Sequence, residues 1–320
     1  MNGQIEHSER IGDQSQTLNV DKFLSIIAFI FLAILLSIIV STPPASGYEI
    51  SLYGAYPSYF WFLLIGKISC GIIILVRQGF TRDLSKWWIP GLLIGILANS
   101  VFLTLPEFRG YTFYGQWDTL NHLGHIKDIL ATGHIGEGNF YPVEHVLGAT
   151  LIQVTNFDRT NIPSLFFVLF SGVYILNILL LAKTITNQWR YALLPVAFAS
   201  PLVYSFFHVN IHPNIFALFM LPLLLYFYHR REQFLHEKLG NTLLLLLLIL
   251  SITFFHPVIA LFSIIVFLVF GFLYMLCSSV LTQKKLQDND YQTIIGKDSI
   301  KVSVIISMVF FIWYFSYSSI

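Results

Sequence analysis

Phe23 to Val40 is eighteen residues long and holds no charged side chain. As a helix it rises about 27 Å, close to the roughly 30 Å of a bilayer's hydrocarbon core. Similar runs recur along the chain. Candidate spans are residues 23–41, 57–76, 88–105, 163–183, 190–206, 213–229, 242–255, 258–280 and 302–320. A mean hydropathy of +0.71 and 56% hydrophobic residues are far from soluble composition. The expected fold is therefore all-α and polytopic, with about nine transmembrane helices. A net charge of +1 exerts no general pull on nucleic acid, so the placement of charge carries the information.

The first 22 residues contain Glu6, Glu9, Asp13 and Asp21 against Arg10 and Lys22. A cleaved signal wants a basic start and a shorter apolar core, so the first run reads as an uncleaved span. Residues 1–22 form a polar N-terminal segment and 23–320 a transmembrane domain. Cys70 and Cys277 fall inside apolar spans and read as small packing residues, which leaves the redox compartment open.

Glu144 to Thr155 is apolar, but its twelve residues rise only about 18 Å. The distribution of Lys and Arg decides whether it crosses, because every later span inverts if it does. Without a crossing, 14 basic residues lie on the inner side and three, Arg109, Lys127 and Arg159, on the outer. With one, the count becomes 6 against 11. The expected topology is thus a cytoplasmic N-terminus in a multi-pass cell-membrane protein, with residues 106–162 as one large external loop.

That loop contains WDTLNHLGHIKDILATGHI, with two carboxylates and three histidines in a chain that is only 11% charged. The same topology places Glu49, His208, His212 and His256 outside, so seven of ten histidines face one compartment. At roughly 100° per residue, Asp118, His122 and His125 fall at about 0°, 40° and 340°, whereas Leu120, Leu123, Ile126 and Leu130 fall at about 80–200°. The spacing predicts an amphipathic helix from Asp118 to Gly133, lying in the interface with its leucines in lipid and Lys127 snorkelling to phosphates. A second short helix, Pro142 to Thr155, lies similarly and carries Glu144 and His145 near its start.

Asp118 suits a helix N-cap, and its spacing to His122 and His125 is also that of metal ligands on one helix face. Without cysteines or an HExxH pattern a tight zinc site is not expected; a loosely held Mg²⁺ or Mn²⁺ is the alternative the spacing leaves open, and no cofactor is assigned. Lys67, in the middle of the second span, is a charge where charge is costly.

GQWDTLNHLGHIKDILATG, with an aspartate heading a horizontal helix, followed by the Tyr-Pro-led FYPVEHVLGATL and a further span, resembles the GT-C superfamily of integral-membrane glycosyltransferases. TPPASGYEISLYGAYPSYFW is similar to archaeal multi-pass proteins of the same kind. The specific likeness covers roughly residues 106–183. It departs from the family's frequent second acidic residue beside the first, and from its Pro-Pro before the second horizontal helix. The chain also stops within FFIWYFSYSSI, as a truncated or divergent member would.

The resemblance implies transfer of a sugar from a polyprenyl-phosphate carrier to a glycan, protein or lipid acceptor on the outer face, with Asp118 as catalytic base. Arg159, then Lys127, would meet the carrier phosphate. His122, His125, Glu144, His145, Glu49, His208, His212 and His256 are the remaining candidate substrate-binding residues. For the histidines at helix ends, interfacial hydrogen bonding is the competing role. Two alternative functions remain: a transporter or flippase-like carrier of a polar or lipid-linked substrate, and a non-catalytic subunit of a glycosylation assembly. The absence of an internal repeat weighs against the carrier.

Overall fold

A computed structural model describes residues 2–47, 49, 51–111, 118–203, 213–233, 238–281 and 289–318. The described residues are all-helical. The helices are α1 (Asn2–Ser41), α2 (Leu52–Ala55), α3 (Ser58–Phe80), α4 (Trp88–Phe108), α5 (Thr119–Thr132), α6 (Pro142–Thr155), α7 (Ile162–Thr186), α8 (Trp189–Ala199), α9 (Pro213–Gln233), α10 (Lys238–Phe255), α11 (Pro257–Leu281) and α12 (Asn289–Ser318). They divide into two compact units, one of residues 1–116 and 160–211, the other of residues 117–159 and 212–320.

Among the described residues five stretches are long and apolar enough to cross a membrane: Asn19–Ser41, Ser58–Phe80, Trp88–Phe108, Arg159–Thr186 and Ser299–Ser316. They coincide with five of the nine expected spans, as a multi-pass membrane protein requires. Shorter apolar stretches occupy Leu239–Phe255 and Pro257–Leu273. Over its described residues the expected span 190–206 is not one continuous α-helix. Its α-helix ends at Ala199 and gives way to a 3₁₀ turn, Ser200–Val203. Pro201 lacks an N–H and so cannot donate the next bond of the α-helical ladder. The segment expected to begin an external loop at residue 106 starts within α4, which runs through Pro106 to Phe108. α1 continues through residue 22 without a break.

In the first unit α3 packs against α1, α4 and α8. Leu35, Ile39, Phe60, Leu64, Ala98 and Leu105 form one buried cluster, and Leu75, Ile175, Leu193 and Val196 belong to another. Small residues let α3 and α4 approach closely, the usual solution where lipid removes the hydrophobic drive between helices. A Cβ on Gly91 would stand 2.8 Å from Cγ2 of Ile74. Two buried charged groups here have partners. Asp21, fully buried, accepts from Arg77 Nε at 3.0 Å and Gln78 Nε2 at 2.6 Å. Lys67, also fully buried, donates from Nζ to the Ile94 carbonyl at 2.9 Å.

In the second unit α11 pairs with α12, α9 with α10, and α5 with α6, which also meets α10. Tyr228 of α9 and Ser299 of α12 join hydroxyls at 2.6 Å. The pair α5 and α6 carries the histidines.

Candidate functional site

The start of α5 is set by Asp118 and its end by Gly133, which takes φ +73° and donates its N–H to the Ile129 carbonyl at 2.8 Å. A left-handed residue is cheapest as glycine, so the helix stops where the sequence places one. Pro142 opens α6, where its missing N–H costs nothing, and Asn156 closes it at φ 56°. Both helices keep the bounds the sequence predicts to within a residue.

The buried face of α5 is the expected one only in part: His122 turns to the protein and Leu120 stays exposed, but Leu123 and Ile126, expected in lipid, are buried. Thr119, His122, Leu123 and Ile126 face inward, whereas Leu120 is 60% exposed. The buried stripe therefore straddles the boundary between the imidazole and leucine faces. Packing against α6 decides this, because α6 offers His122 a polar partner.

That partner is His145, which is fully buried. Its Nε2 lies 2.8 Å from His122 Nδ1, and its Nδ1 lies 2.6 Å from Asn139 Oδ1. The His125 ring sits beside it, with centroids 4.9 Å apart. Burial pushes the His145 pKa down to about 3, and the neighbouring His122 and His125 add to the shift. His145 is thus a neutral imidazole wedged between two others.

Glu144 is the most unusual group in the unit. It is fully buried, and neither carboxyl oxygen has a hydrogen-bond partner among the described residues. Burial raises its pKa well above the ordinary carboxylate range. An ionised carboxylate there would have lost its water without compensation, so the protonated form is favoured. Tyr141 stacks on His256 at the α10–α11 junction, with centroids 5.0 Å apart and planes 9° from parallel. His256 Nδ1, Thr119 Oγ1 and Asn139 Nδ2 are also buried without partners. Burial lowers the His256 pKa as well. Unpaired polar atoms of this kind usually mark water, ligand or function.

Asp118, by contrast, is exposed. It occupies the N-cap position but makes no capping bond, and among the described residues its carboxylate accepts from Asn121 Nδ2, at 3.3 Å. Lys127 and Arg159 are exposed, the latter in a 3₁₀ turn, Arg159–Asn161. Among the described residues no group of three or more His, Cys, Asp and Glu side chains is placed to hold a metal ion. Asp118, His122 and His125 do not converge, because both imidazoles turn toward His145.

Glu49 lies in the first unit, where it is already engaged. It accepts from both Nε and a terminal nitrogen of Arg109, and from the Tyr111 hydroxyl. Arg109 also binds the Pro43 carbonyl, so the group clasps the end of α1 to the end of α4. The Arg109 and Tyr111 hydrogen bonds hold the Glu49 pKa down at about 2. His208 and His212 lie outside the described residues.

The site therefore gathers His122, His125 and His145, and the same unit carries the fully buried Glu144 and the half-buried His256. Asn139, Tyr141 and Thr119 join them without having stood out in the sequence. Asn139 looks there like any turn residue, and no local pattern marks it as a histidine's partner. An all-helical, multi-pass chain with a histidine-rich helical pair is the class these features define. Searches against protein-family models, curated proteins and solved structures give no match.

Proposed function

We propose that the chain is a cell-membrane glycosyltransferase that moves a sugar from a polyprenyl-phosphate carrier to an acceptor hydroxyl on the external face. One observation carries this reading. Asp118 sits where an aspartate normally caps a helix, yet its carboxylate is exposed and does not cap. Its placement one turn before His122 is then better explained by chemistry than by helix stability.

The reaction needs a base. As the acceptor oxygen bonds to the anomeric carbon, the bond from that carbon to the carrier phosphate breaks, and the hydroxyl proton passes to Asp118. The departing lipid phosphate gains negative charge, which exposed cations at Arg159 and Lys127 would stabilise. His122, His125, Glu144, His145 and His256 form the polar surroundings of the sugars. Glu49, held by Arg109, and the pair His208 and His212 are not assigned a role in this step. The reading includes nine membrane crossings, a cytoplasmic N-terminus and an external segment carrying α5 and α6.

Transfer of radiolabelled sugar from polyprenyl phosphate by the purified chain tests the activity. Wild-type protein should transfer and Asp118→Asn should not. Equal rates for the two would remove Asp118 from the mechanism. Loss of transfer that excess Mg²⁺ or Mn²⁺ restores would make it a metal ligand instead. Thiol labelling of Lys86→Cys, Arg159→Cys and Leu235→Cys tests the topology. Position 159 should react only from outside and the other two only from inside; the reverse at 159 would overturn the orientation of the site.

A further inference from the structure

We propose that the first unit binds a halide-sized anion among Lys67 of α3, Asn99 of α4 and Ser200 of the 3₁₀ turn that follows α8. Lys67 lies within the apolar α3 and is fully buried. Its ammonium carries three N–H groups, one of which donates to the Ile94 carbonyl at 2.9 Å. The other two have no partner among the described residues, and no carboxylate is paired with the charge. The nearest candidates in sequence are already committed, Asp21 to Arg77 and Gln78, and Glu49 to Arg109 and Tyr111. A charge inside a span without a counter-charge is costly, and such residues mark ion or substrate sites.

Two further polar groups belong to the same crossing of helices. A Cβ on Gly95, the residue after Ile94, would stand 3.3 Å from Ser200 Oγ. The lysine ammonium and the serine hydroxyl thus reach consecutive residues of α4. Gly71, one turn after Lys67, brings α3 close at the same level, since a Cβ there would lie 3.4 Å from the Gly95 nitrogen. Asn99 follows Gly95 by one helical turn and lies on the same face of α4. Asn99 is 1% exposed and Ser200 3%, and among the described residues Asn99 Oδ1, Asn99 Nδ2 and Ser200 Oγ have no hydrogen-bond partner. Ammonium, amide and hydroxyl together supply a set of unused donors around one positive charge, and the group that satisfies such a set is an anion. The packing limits its size. Ala28, Cys70, Ile74 and Ile94 form an apolar cluster beside the lysine, so the oxygens of a larger anion would find no partners there.

None of the three residues takes part in the proposed sugar transfer, so the test is independent of that activity. Purified full-length chain in detergent is heated in gluconate buffer while chloride or bromide replaces gluconate at constant ionic strength. The wild-type Tm should rise and saturate with either halide, as it does when a ligand binds only the folded chain. Lys67→Met should show no saturable rise. Ser200→Ala and Asn99→Leu remove groups that bond nothing else among the described residues, so both should fold, and each should need at least threefold more halide for half the effect. A wild-type Tm that halide does not move would overturn the site. An equal rise in Lys67→Met would overturn it too, because the halide would then act elsewhere on the protein. If Lys67→Met does not fold, the other two variants decide: weaker halide binding in both supports the site, and unchanged binding in either refutes it. Saturation by phosphate or acetate at lower concentration than chloride would refute the halide size.

Discussion

Replacing Glu144 by Gln should make the protein more stable at neutral pH and remove part of its pH dependence. The side chain is fully buried and neither oxygen has a partner among the described residues. Burial raises its folded pKa, whereas in the unfolded chain the carboxyl loses its proton near about pH 4.3. Below that value both states hold the proton and Glu144 adds no pH dependence. Above it folding must take up a proton, so stability falls as pH rises, by about 1.4 kcal/mol per pH unit until the folded pKa is reached.

Gln has nearly the same shape and never ionises, so this loss should vanish in Glu144→Gln. Glu144→Met should remove the slope too. It should also stabilise at low pH by about 1–3 kcal/mol, the usual cost of a buried polar group without a partner. Denaturant titrations of the three proteins in detergent, repeated at several pH values from 5 to 8, supply the assay. The informative quantity is the difference between wild type and variant, because other titrating groups then cancel. A difference that does not change with pH would mean that Glu144 is ionised in the folded chain. A Gln variant several kcal/mol weaker at every pH would mean the carboxylate has a strong partner, and the reasoning would fail.

Other perturbations give separate readouts. Asp118→Asn should lower transfer by about 10² to 10⁴ while leaving abundance unchanged, since the wild-type side chain makes no cap bond; wild-type turnover would refute its role as base. His145 has a depressed pKa, so its contribution is present above the unfolded value of about 6.5 and is lost as pH falls toward about 3. His145→Gln should therefore lose less stability on acidification than wild type, and an unchanged acid limb would contradict this. Glu49, with its pKa held at about 2, contributes above the ordinary carboxylate range and loses that contribution as pH drops toward 2; Glu49→Gln should flatten the limb that wild type shows there. Lys67 donates to one backbone carbonyl within an apolar setting. Lys67→Met should accumulate and transfer sugar normally, and selective loss of a transport activity in this variant would favour the carrier function.

The ends of α5 and α6 were legible because local chemistry sets them. Gly133 admits a left-handed residue, Pro142 suits a first turn, and neither depends on what packs nearby. Five spans were legible for a similar reason, since length and apolarity are properties of contiguous residues. The shortening of α8 could also have been found, because Pro201 lies inside the expected span. The buried face of α5 could not. Helical periodicity reports which side chains share a face but not which neighbour that face meets, and here Leu123 and Ile126, expected in lipid, are buried along with His122. Glu144 and Glu49 show the same division. Both are single acids in mostly apolar stretches, yet one is fully buried without a partner and the other is clasped by Arg109 and Tyr111. Charge and period belong to the chain by itself, whereas desolvation and pairing depend on residues distant in sequence. The sequence by itself therefore determined a membrane-spanning helical protein with titratable groups gathered near α5 and α6, and tertiary structure alone decided which of those groups are neutral, paired or exposed.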